Sequence, residues 1–122
     1  MFGFEKLMVW QKALSFTKEI YMVTKGFPAD EMFGVTSQIR RAAVSVVLNI
    51  AEGAGRKSKK EFKHFLSMSY GSLCETTTLL RLSLELNYIE EVKHKTLYSD
   101  ADGIGRMITG LSNSNKIPDS RL

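Results

Sequence analysis

The stretch Gln38-Ile39-Arg40-Arg41-Ala42-Ala43-Val44-Ser45-Val46-Val47-Leu48-Asn49-Ile50-Ala51-Glu52 decides the fold. Val44, Val46 and Val47 are β-branched and would suit a strand. The apolar positions do not alternate, however. Ile39, Ala42, Ala43, Val46 and Ile50 return every three or four residues, and the run is longer than an ordinary strand. The spacing therefore predicts a helix, with a short first turn or kink near Phe33-Gly34 and an end at Gly53-Ala54-Gly55.

Working outward, Gly26-Phe27-Pro28 stops an earlier helix, because glycine suits the residue after a helix and proline forbids continuation. That helix runs from Phe4 to Lys25, with Leu7, Trp10, Leu14, Thr17, Tyr21 and Thr24 as its inner stripe and Ala13 and Ile20 widening it. On the other side, Ser58-Lys59-Lys60-Glu61 has the form of a capping box. A third helix then runs to about Leu86, with Asn87 near its C-terminal cap. A fourth extends from Glu90 or Glu91 to Leu111, although Gly103, Gly105 and Gly110 each cost it about 1 kcal/mol relative to alanine, so packing must hold it. The prediction is an all-α protein, an up-and-down antiparallel four-helix bundle over residues 1–112, with a flexible tail over 113–122.

At 122 residues, 43% hydrophobic and 25% charged, the chain suits one domain with one core and no disordered body. Cys74 is the one cysteine, which excludes an internal disulfide and reads as a small buried hydrophobe. Met1-Phe2-Gly3-Phe4 runs straight into Glu5 and Lys6 without a leader, and no apolar run is long enough to cross a bilayer, so a cytoplasmic protein without membrane contact is expected.

Catalytic chemistry finds few residues. His64 and His94, both read as surface residues, stand alone, and with a single cysteine they offer no zinc-ligand spacing. Gly53-Ala54-Gly55 follows a helix rather than a strand and lacks the ending of a phosphate loop. No catalytic residue, cofactor or metal is expected.

Charge is uneven: eleven lysines and arginines face six acids up to residue 65, and six face seven beyond it. Arg56, Lys57, Lys59, Lys60 and Lys63 cluster around Glu61, with His64 beside them. Such a cluster attracts phosphate or acidic protein surfaces, or is simply a solvated helix junction. On helix two, Arg41, Ser45, Asn49 and Glu52 share one stripe that is either solvated or buried at a seam where each polar group needs a partner. In the second case, antiparallel return of helix three sets Arg41 opposite Ser72 and Glu75, predicting an Arg41–Glu75 ion pair with Arg40 as the alternative donor. Small residues, Ala42, Ala43, Ser45 and Ala51 against Ser67, Ser69, Gly71 and Ser72, permit close approach of the two helices. Phe2, Phe4, Met8, Val9, Phe16 and Met22, with Val44 and Val47, give an apolar second face that points to self-association.

Leu7-Met8-Val9-Trp10-Gln11-Lys12-Ala13, Phe27-Pro28 with Glu31, Gln38-Ile39-Arg40-Arg41-Ala42-Ala43 with Ser45, Asn49-Ile50-Ala51-Glu52-Gly53, Glu61-Phe62 with Phe65-Leu66, and Gly71-Ser72-Leu73 with Glu75 carry a resemblance. The chain resembles the four-helix bundle proteins encoded by bacterial large-subunit rRNA intervening sequences, often labelled ribosomal proteins. It is also similar to the accessory protein of diversity-generating retroelements. The resemblance implies a ring-like homopentamer without known enzymatic activity and, for the retroelement relative, binding to a reverse transcriptase and nucleic acid through a basic surface. Ser69 stands where an alanine is usual, and the glycines of helix four depart from the pattern. Two functions are expected in turn: a self-associating bundle contacting RNA through Arg56 to Lys63, or an oligomeric protein-interaction scaffold whose lysines only keep it soluble.

Overall fold

The computed structural model of the chain describes residues 2–114. Four helices carry the fold: α1 (Met8–Thr24), α2 (Val35–Ala54), α3 (Lys59–Glu85) and α4 (Glu91–Ser112). Short 3₁₀ turns, Gly3–Lys6 and Ala29–Glu31, precede α1 and α2. Helices adjacent in sequence pack side by side and α4 closes back on α1, as an up-and-down bundle requires. The α2–α3 seam is the most extensive.

Hydrogen bonds across the seams fix the direction of each pair. Ser69 Oγ donates to Val46 O (2.7 Å) and Ser72 Oγ to Ser45 Oγ (2.8 Å), so α3 rises as α2 descends. Thr17 Oγ1 donates to Ala43 O (3.1 Å) and Arg40 Nε to Thr24 Oγ1 (2.8 Å), which sets α1 antiparallel to α2. Lys93 and Glu19 pair at 3.2 Å between α4 and α1.

Helix boundaries follow local chemistry. Ser58 Oγ accepts from Glu61 N–H at 3.1 Å, satisfying one of the orphan amides of α3. Only this half of the expected capping box is made. Asn87, with φ of 61°, takes the left-handed conformation just past α3, and Tyr88 N–H returns to Ser83 O at 2.8 Å. The first turn of α2 is held by Glu31, whose Oε1 accepts from Val35 N–H at 3.3 Å and whose Oε2 accepts from the Tyr88 hydroxyl at 2.6 Å.

The Tyr88 bond ties the α1–α2 connection to the α3–α4 connection and holds the phenol above its ordinary pKa. The hydrogen bond to Glu31 is the main cause, followed by burial and by the charges of Glu31 and Asp30. A phenol raised in the folded state keeps its stabilising bond below the unfolded value near 10 and loses it as pH climbs through the folded value. Ultraviolet absorbance titration should therefore show a late tyrosine ionisation step, above the ordinary phenol range. Tyr88→Phe should remove that late step, and its persistence in the variant would contradict the assignment.

The core runs along the bundle through Phe16, Ile20, Ile39, Val46, Ile50, Leu66, Leu80, Leu97 and Ile108, all nearly or fully enclosed. Helix one keeps Ala13, Thr17, Ile20 and Thr24 inward as expected, but exchanges Leu14 and Tyr21 for Val9 and Phe16, expected on the outer face. Val9, Ala13, Phe16, Thr17, Ile20 and Thr24 face inward, whereas Leu14 and Tyr21 are exposed and Leu7 and Trp10 are half-buried. α1 is apolar on two sides, so periodicity alone allows either face, and the solution adopted encloses the bulk of Phe16. Val47, expected on the outer face, is likewise buried.

Other expectations are corrected. Cys74 is exposed because it follows the inward Leu73 by one residue, a step of about 100° around the helix. His94 is only half-exposed; its ring stacks on Tyr98 and its Nε2 is enclosed without a hydrogen-bond partner. Ser67 and Gly71 face outward instead of lining the α2–α3 seam. Gly105 accounts for one of the α4 glycines, since an added Cβ there would meet Leu73 and Tyr70 at 3.4 Å; Gly103 and Gly110 face open space. The expected tail lies outside the described residues beyond Ser114. Among the described residues no helix is long and apolar enough to cross a membrane.

Candidate nucleic-acid interface

The α2–α3 junction is built on a close helix approach. Gly53 sits where a Cβ would come within 2.6 Å of Phe65 Cβ, 3.0 Å of Phe62 Cδ1 and 3.3 Å of Phe62 O. Glycine lets the end of α2 press onto the start of α3, and Gly55 N–H closes the last turn on Ala51 O at 3.1 Å. The chain turns through Arg56 and Lys57, and Ser58 launches α3.

Arg56, Lys57, Lys59, Lys60 and Lys63 are all exposed on this turn and the first turns of α3. Lys59 and Lys63 lie four residues apart, as do Lys60 and His64, so they share one side of the helix. Lys57, Lys60 and Lys63 make no ion pair among the described residues. Arg56 is oriented: its Cζ lies over the Phe65 ring at 4.6 Å. His64 meets the same ring edge-on, with centroids 5.9 Å apart. Phe65 is half-buried against Gly53, which gives the exposed arginine a fixed floor. Sequence reasoning did not reach this stack, although an aromatic residue nine positions beyond an arginine across a glycine-marked turn was its one visible sign.

The predicted polar network divides. Ser45, Asn49 and Ser72 come together: Asn49 Nδ2 donates to Ser45 O (2.8 Å) and Ser45 Oγ (3.0 Å), and Ser72 Oγ reaches Ser45 Oγ. Arg41, Glu52 and Glu75 do not join them. The Arg41–Glu75 ion pair is absent; both residues are exposed, and Arg41 lines an open groove with Tyr21, Val44, Leu48, Asn49 and Glu52. The alternative donor, Arg40, turns to α1, where it bonds Thr24 and lies over the Tyr21 ring at 4.8 Å. Hydration of the separate ions competes well here, since a solvated pair contributes only about 0–1 kcal/mol.

Among the described residues no three of His, Cys, Asp and Glu are placed to hold a metal ion. The junction offers cations, a planar guanidinium and an aromatic floor, a combination suited to holding phosphates and bases.

Comparison with known proteins decides the family. A sequence profile described as 23S rRNA-intervening sequence protein matches residues 5–110, nearly the whole described chain. The chain belongs to the 23S rRNA-intervening sequence protein family. A crystal structure of a protein with unknown function from the S23 ribosomal protein family of Bacteroides thetaiotaomicron shares the fold, with a TM-score of 0.79 and 23% identity over 88% of this chain and 100% of that one. No curated protein matches the sequence. Within this rRNA-intervening sequence family, the match spans all four helices and the basic junction.

Proposed function

We propose that the protein is a non-enzymatic, self-associating helical bundle that binds RNA or another nucleic acid through the basic α2–α3 junction. The observation that carries this reading is the convergence of Arg56, Lys57, Lys59, Lys60 and Lys63 on one exposed turn and helix start, with Glu61 the single acid in that window. Self-association is supported by apolar side chains left outside the core along the α1–α2 seam. Leu14, Tyr21 and Leu48 are 47%, 40% and 53% exposed, and the seam register sets Leu14 level with Leu48. Copies assembled in a ring, as the family resemblance implies, present the junction repeatedly, and weak sites on linked copies add through effective concentration.

Phosphate contacts release counterions, so RNA retained at about 50 mM salt should be largely lost by about 200 mM. The triple variant Lys57→Glu/Lys60→Glu/Lys63→Glu should abolish retention at low salt while its circular dichroism stays helical. Binding that ignores salt, or that survives the triple reversal, would overturn this reading. The exposed α1–α2 seam is also the feature that favours the protein-scaffold alternative, in which a protein partner is held equally well by the triple variant.

A further inference from the structure

The stack at the junction adds a planar group to the charge, and it narrows the ligand class if that surface binds nucleic acid, the reading on which this inference rests. The geometry points to single-stranded nucleic acid, with an unpaired base stacking on the outer face of the Arg56 guanidinium while Lys57, Lys60 and Lys63 hold the flanking phosphates. Arg56 Cζ lies over the Phe65 ring, 4.6 Å from its centroid, and the residue is exposed, so a base can approach it from the solvent side. The floor is fixed from three directions: Phe65 is wedged against Gly53, edged by His64 and partly buried in the bundle. The arginine thus places a planar cation over an aromatic ring within a basic field.

Two physical effects separate the possible ligands. A surface acting by charge alone favours the duplex, which carries one negative charge per about 1.7 Å of axis. A planar cation on a rigid ring acts on base faces, and those are hidden in a duplex and open in a single strand, where arginine planes and aromatic rings are the usual stacking partners. Lysine in place of Arg56 keeps the charge and removes the plane. That substitution isolates the stacking contribution, and it falls on an exposed turn residue whose side chain makes no hydrogen bond in the described structure.

The test measures fluorescence anisotropy of a 20-nucleotide oligoadenylate RNA and of a blunt RNA duplex of the same length, at low salt, with the intact chain and with Arg56→Lys. The expected result is single-strand binding about tenfold tighter than duplex binding. Arg56→Lys should lose about five- to tenfold on the single strand, with duplex affinity and the salt slope unchanged. Phe65→Leu, checked for helicity, should produce the same selective loss. Duplex binding equal to or tighter than single-strand binding, or an Arg56→Lys protein that binds oligoadenylate as well as the parent, overturns the stacking proposal and leaves the basic surface standing. Failure of both probes to bind at low salt overturns the nucleic-acid reading and this inference with it.

Discussion

Phe16→Ala is expected to lower the stability of the protein by about 3–5 kcal/mol, the usual cost of truncating an enclosed aromatic ring. Phe16 is 2% exposed and forms the floor of the α1–α4 groove beside Ile104 and Met107. α4 approaches α1 over a shorter contact than α2 does, and the helix carries three glycines that weaken it intrinsically. Total stabilities of domains this size lie near 5–15 kcal/mol, so the loss would consume a large share and should loosen α4 first. Met22, exposed on the same helix, supplies the control: Met22→Ala should change stability by no more than about 0.5 kcal/mol. Urea denaturation of the three proteins checks the order. A Phe16→Ala protein as stable as Met22→Ala would return Phe16 to the outer face that the periodicity suggests.

Gly53→Ala should cost about 1–3 kcal/mol, the penalty for forcing an extra group into a packed seam. The clash is with Phe65 Cβ at 2.6 Å and with the backbone of Phe62, neither of which is the loose end of a flexible side chain. Relief requires the end of α2 to lift from α3, which also disturbs the Phe65 floor under Arg56. Gly103 makes the opposite case. Nothing lies within 4 Å of a Cβ added there, so Gly103→Ala should stabilise α4 by up to about 1 kcal/mol through helix propensity. If both substitutions shift the melting temperature upward, the close approach at Gly53 is wrong.

Much of the architecture is legible in the residues because local signals agree with one another. Ser58, the proline at Pro28, the glycines around Ala54 and the periodicity of α2 all mark boundaries that the fold uses within a few residues. The phase of α1 is less legible, since Leu14 and Phe16 sit two residues apart on a helix oily on both sides, and only the shape of the partner helices selects one. The seam polar groups are half legible. The expected register sets Ser72 opposite Arg41, whereas Ser72 bonds Ser45, one helical turn further along α2, and whether Arg41 and Glu75 meet depends also on side-chain direction and on competition from water, which spacing does not encode. Arg40 shows the same limit from the other side: its partners Thr24 and Tyr21 lie on a different helix, sixteen and nineteen residues away. At the junction the lysines are visible as composition, while the Arg56–Phe65 stack depends on a turn geometry that appears only once Gly53 has brought the helices together.

The family profile reaches across the bundle and its basic turn, yet the exposed residues of α1 and α2 bear on the central claim, that each helix is oily on one side for the protomer and on a second side for its neighbour. Sedimentation velocity over the micromolar range tests it most directly. The expected result is a species several times heavier than the 13.7 kDa chain, reduced to a folded, helical single chain by Leu14→Lys/Leu48→Lys. A stable 13.7 kDa particle at every concentration would contradict it.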